Sequence, residues 1–214
     1  MPYKKALSKN IYKEVHQYHL DSTYKPEKGN LLPARHLLPN VDSVLLTAQQ
    51  AEWIGQHIKQ ISGKQYQLKL WYRGSQDGLN QDNFHRLCDN KGATLTVIHP
   101  AGNQQLLGGY TALDWDTTGG WKTTNKVFLF SFNSETIDGA IYSPVYGLVN
   151  GMYCGSEFGP YFGAGNDLVI GGWNENNFTN ANSCGCNQGS YIRSITTLNR
   201  FHIDEMEVFQ VLKA

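Results

Sequence analysis

Beyond residue 47 the hydrophobic positions first follow a helical period. Ala51, Ile54, Ile58 and Ile61 recur at three- and four-residue spacing with polar residues between them, which predicts a helix over residues 48–61 with one apolar stripe. Thr47 and Gln50 fit a capping box at its start, and Gly63 supplies its stop. The stripe predicts that Ile54 and Ile58 are buried against a sheet. Residues 67–72 then alternate, with Leu68, Leu70 and Tyr72 expected on one side of a strand. Gly74, Asp77 and Gly78 predict a turn. Asn80 can cap a second, short helix that buries Phe84, Leu87 and Cys88.

Strand patterns dominate from there. Thr94 to His99 is a β-branched run, and Leu106 to Thr111 carries Gly108 and Gly109, where neighbouring groups can approach closely. Val127 to Phe132 is apolar without interruption, as expected of a central strand covered on both faces. Asp167 to Ile170 and Met206 to Val211 complete the set. Residues 171–190 are rich in Asn and Gly and read as a long surface loop. Two helices followed by many strands predict an α+β chain, mostly β: an antiparallel β-sandwich flanked by two helices.

Residues 1–40 break this pattern. Ile11, Val15 and Tyr18 could share a short helical face, but Pro26, Gly29, Pro33 and Pro39 interrupt any longer element. The expected organisation is an N-terminal extension over 1–40 and one domain over 41–214. Charge sharpens the division. The formal net charge of +0 argues against a dedicated nucleic-acid binder, yet the extension carries a balance of about +4 and the remainder about −4. A basic extension can dock on its own domain, stay solvated or contact an acidic partner. In the last case Tyr12, Tyr18 and Tyr24 are the candidate partner-binding anchors, since tyrosine buries much area at small entropy cost.

No run approaches the roughly 18–20 apolar residues of a membrane helix, and no apolar run follows Lys4 and Lys5. The expectation is a cytoplasmic protein without membrane insertion, with Cys88, Cys154, Cys184 and Cys186 as free thiols. Cys184-Gly-Cys186 lacks the second ligand pair of a structural zinc site and the Cys-x-x-Cys spacing of a redox pair. No metal, cofactor or catalytic residue is expected. The candidate binding surface gathers Asp77 and Gly78 at the turn, Glu157, Phe158 and Gly159 in an aromatic glycine-rich segment, and the carboxylates Asp167 and Glu207. Each has a plainer reading as well: Asp77 bonding nearby amides, Phe158 to Gly165 as a structured loop plugging the sandwich end, and Glu207 as a hydrogen-bonding group in an apolar strand.

Several segments together resemble the TLDc family. They are LWYRGSQDG at 70–78, FHRLCD at 84–89, TLTVI at 94–98, LGGYT at 107–111 with Trp115, FLFSF at 128–132, FGPYFGAG at 158–165, DLVI at 167–170 and IDEMEVF at 203–209. Each alone is weak; eight in this order over residues 43–211 are specific. The resemblance implies a β-sandwich flanked by helices in a stand-alone short member. It implies a link to protection against oxidative damage and binding to the vacuolar proton-pumping ATPase, with no established reaction. The function expected is therefore a non-catalytic adaptor on a large cytoplasmic assembly. A structural subunit of a cytoskeletal assembly and an enzyme or oxidant scavenger are the alternatives.

Overall fold

The computed structural model describes residues 41–63, 65–172 and 176–213. The described residues form three helices: α1 (Ala48–Ser62), α2 (Gly74–Asp77) and α3 (Gln81–Cys88). One six-stranded sheet contains β1 (Tyr66–Arg73), β2 (Thr94–Pro100), β3 (Leu106–Thr111), β5 (Val127–Phe132), β6 (Ile141–Pro144) and β12 (Ile203–Lys213), in the order β1-β12-β2-β3-β5-β6. The other contains β4 (Gly120–Thr124), β7 (Val149–Cys154), β8 (Phe158–Phe162), β9 (Leu168–Gly171), β10 (Cys184–Gly185) and β11 (Arg200–Phe201), in the order β11-β10-β9-β8-β7-β4. Neighbouring strands in both sheets run antiparallel. No helix among the described residues is long and apolar enough to cross a membrane.

Two apolar clusters hold these layers. The first lies between the sheets, where Ile98, Leu107, Val127, Leu129 and Val208 of one meet Met152, Phe162, Leu168 and Ile170 of the other. The second lies on the outer face of the first sheet, where Ala51, Ile54 and Ile58 of α1 cover Leu95, Val97, Phe128, Phe130 and Phe209. The helix starts as its sequence demands: the Thr47 hydroxyl accepts from the Gln50 amide and the Gln50 side-chain oxygen accepts from the Thr47 amide. Ile54 and Ile58 are fully buried, as the stripe predicts. Gly55 matters because any larger residue would overlap the Tyr66 ring, whose hydroxyl donates to the Ala51 carbonyl at 3.2 Å. α3 closes one end of the sandwich. Asn80 caps it through the Asn83 amide, and Phe84 meets Trp115 edge-on, with ring centroids 5.8 Å apart.

The structure corrects the sequence reading in three places. Leu68 and Leu70 pack in the helix-side cluster, but Tyr72 turns into the cluster between the sheets. A register shift between Leu70 and Tyr72 opposite β12 inserts one extra residue, and an extra residue moves every later side chain to the other face. Residues 158–162, read as a loop, form β8. The 171–190 segment is not all surface: it supplies β10 and the fully buried Phe178. β4, β6 and β7 also escaped the pattern, because none contains an uninterrupted apolar or cleanly alternating run.

Candidate functional site

The predicted site residues fall into two groups. Asp77 and Glu207 converge on Arg73. Glu207 is fully buried and accepts from Arg73 Nε at 2.8 Å, Ser43 Oγ at 2.5 Å and the Val44 amide at 3.0 Å. Arg73 Nη2 reaches the Asp42 carboxylate at 2.9 Å, and hydrogen bonds to Asp42 and Glu207 hold the guanidinium pKa above its ordinary value against the opposing effect of burial. Asp77 accepts from the Arg73 amide at 2.9 Å. Gly78 has a left-handed φ of 90° and its carbonyl takes the Tyr72 hydroxyl at 2.8 Å. Glu207 and the Arg73–Asp42 pair fasten residues 42–44, which lead into α1, to β1 and β12.

The second group lies on the other sheet. Glu157 is exposed in the turn between β7 and β8. Gly159 is buried, and a side chain there would strike the Phe178 ring. Asp167 is buried beneath the β8–β9 hairpin, where it accepts the amides of Gly189, Ser190 and Tyr191 at 2.8, 2.9 and 3.0 Å. Its neighbour Asn166 accepts from the Tyr161 hydroxyl and borders a cleft of about 290 Å³ that also contains Asn187, Asn199 and Arg200. Among the described residues, no hydrogen bond or ion pair joins one of the four carboxylates directly to another. Tyr12, Tyr18 and Tyr24 lie outside the described residues.

Phe158 belongs to an aromatic cluster that the sequence reading did not assemble. Met152 and Cys154 point into the core, so the alternation of β7 turns Tyr153 to the outer face of the second sheet. Trp121 pairs with Tyr153 across β4 and β7. Its ring meets Tyr153 and Tyr161 with centroids 5.1 and 5.4 Å apart. Phe158 meets Tyr161 at 5.0 Å and Tyr153 at 5.6 Å. Trp121 remains 40% exposed, and no described helix lies over it. Two more large apolar side chains, Tyr146 and Leu148, stand in the loop that leads into β7, 74% and 71% exposed. The local signal was available in Gly119-Gly120-Trp121, a tryptophan beside a turn, but its partners come from strands more than thirty residues away.

The four cysteines are unpaired and buried. Burial pushes the thiol of Cys184 up to about 11 and that of Cys186 up to about 12, and it raises Cys88 and Cys154 as well. Thiols held this far above neutrality carry almost no thiolate, so they are poor nucleophiles. Among the described residues no three His, Cys, Asp or Glu side chains are grouped to hold a metal ion.

The TLDc domain family model matches residues 40–212, nearly the whole chain. The chain belongs to this family. No curated protein matches it.

Proposed function

We propose that this TLDc module is a non-catalytic adaptor that binds a large cytoplasmic assembly through the outer face of its second sheet. The candidate assembly is the vacuolar proton-pumping ATPase, and the biological setting is protection against oxidative damage; both are implied by the family resemblance. One observation carries the reading. Among the described residues the large exposed apolar side chains are Val44, Trp121, Tyr146 and Leu148, and three of these four belong to β4 or to the loop entering its partner β7. A solvent-facing apolar group of this kind costs solubility unless something covers it, and aromatic residues are the usual anchors of a protein interface.

The test is co-purification of the native chain and the Trp121→Ala variant from cells, with the captured proteins identified by mass spectrometry. The expected result is that soluble subunits of the proton pump are captured by the native chain and are lost, by tenfold or more, with the variant. Cytoskeletal proteins in their place would support the structural-subunit alternative. Equal capture by both chains would refute the aromatic face as the contact.

A further inference from the structure

His85 remains once the Glu207 fastening and the aromatic face are accounted for. It sits on α3 with its side chain only 11% exposed. Its Nε2 points at two backbone carbonyls, Phe158 at 2.8 Å and Gly155 at 3.2 Å. Carbonyl oxygens only accept, so Nε2 must carry a hydrogen. Its Nδ1 faces both oxygens of Asp89, at 2.9 and 3.1 Å. A neutral ring already protonated at Nε2 would turn the Nδ1 lone pair on a carboxylate. The geometry is satisfied only when the His85–Asp89 pair holds one additional proton, as an imidazolium beside a carboxylate.

We propose that His85 is a proton-operated latch: as an imidazolium it fastens the Gly155–Phe158 turn, and with it the rim of the aromatic face, to α3, and on losing its Nε2 proton to solvent, with Nδ1–H kept on the Asp89 carboxylate, it turns a lone pair on the two carbonyls and releases that turn. The part that concerns docking rests on the reading of the aromatic face given above. The mechanical link is short. Phe158 supplies both the carbonyl that His85 holds and the ring that packs on Tyr153 and Tyr161. Asp89 is itself held in place: its amide donates to the His85 carbonyl at 3.2 Å and its backbone bridges to Trp115.

Other charged groups nearby do not replace the proton. On the turn, Glu157 is exposed and lies against Gly155. On α3, Asp82 and Arg86 are exposed, and Arg86 donates to Asn83. On β4, Lys122 is taken by Asp116 and by the Asp114 carbonyl of the β3–β4 loop. Burial of the ring opposes its charge, but Asp89 and the two carbonyls outweigh that effect and raise the His85 pKa above its ordinary 6.5. The latch is therefore closed below this raised value and opens as pH rises through it.

The test is a nitrogen-15 NMR titration of the full chain from about pH 5.5 to 9. Three results are expected. The His85 ring titrates with a midpoint above 6.5; the Gly155 and Phe158 amides and the Trp121 indole shift with that same midpoint; and Asp89→Asn moves the midpoint to 6.5 or lower. His85→Gln should abolish the shared transition. If either variant fails to fold, amide exchange of residues 155–158 in the native chain decides, with protection expected to fall across the His85 midpoint once intrinsic exchange is corrected for. A ring already neutral at pH 6.5 would overturn the latch, and so would turn and indole signals that ignore the His85 transition. Trp121→Ala separates the two ideas. If that variant keeps the cellular partner while the titration runs as expected, the docking reading fails and the latch stands.

Discussion

The two sheets bury their outer faces differently. On the first sheet, α1 covers Leu95, Val97, Phe128 and Phe130, so β3 and β5 are buried at all positions. On the second, four of the five β4 positions stay at least partly accessible and β7 mixes buried with accessible positions, and Trp121 stands 40% exposed among other aromatic rings. Two tryptophans show the contrast. Trp53 on α1 packs edge-on against Phe132 at 5.2 Å; Trp121 packs on Tyr153 but keeps much of its surface in water. A strand covered on both faces and a helix with one apolar stripe are complementary signals, since each supplies the surface the other must bury. Among the described residues the aromatic face has no such helical counterpart, which is why we propose a partner for it.

Loss of the fastening beneath α1 should do the most damage. Arg73→Ala leaves the fully buried Glu207 carboxylate without its cation, and breaking a buried pair in this way costs about 3–5 kcal/mol. Urea unfolding should show that loss as a lower midpoint, and a midpoint within error of the native one would mean that the pair contributes nothing to holding residues 42–44. Next, Ile58→Ala removes a fully buried side chain between α1 and the first sheet, for about 2–5 kcal/mol. An unchanged melting temperature would show that the covered face does not depend on this contact.

The pH dependence links the two faces through α3. Because the folded-state His85 pKa is raised above 6.5, its contribution is complete below pH 6.5 and disappears as pH rises through the raised value. The native chain should exceed His85→Gln by about 1.5–3 kcal/mol near pH 6, the range for hydrogen bonds to charged groups. Unfolding curves at stepped pH should show that margin narrowing upward; a margin that widens would reverse the assignment. Trp121→Ala should cost least, about 1 kcal/mol or less, since it removes ring contacts from a partly solvated site. A melting temperature lowered as far as in Ile58→Ala would make the aromatic face a second core and erase the contrast.

Much of the covered side was legible in the chain. Thr47 and Gln50 announce the start of α1, and Asn80 that of α3, because a cap is a bond between residues three apart. The runs at 94–99, 106–111 and 127–132 announce doubly covered strands. The candidate site was legible only in fragments. Phe158 and Asp167 stood out by type, yet their partners did not: Tyr153 lies on β7, which lacks a clean pattern, and the 189–191 amides are backbone groups of a loop. His85 and Asp89 were both in view within FHRLCD, spaced by one helical turn, but nothing local says that the other ring nitrogen meets the carbonyls of Gly155 and Phe158.

Local order was therefore set by the sequence itself: the capped helix, its stripe, the continuous strands and the family they resemble all depend on residues within a few positions of each other. Tertiary structure decided the rest. A bulge opposite β12 chose the face for Tyr72. Glu207 can remain buried because Arg73, 134 residues away, supplies its cation, and the extra proton at His85 follows from carbonyls 70 and 73 residues along the chain. The energy of a buried charge is fixed by the donors and acceptors that surround it, and those are brought together only by folding.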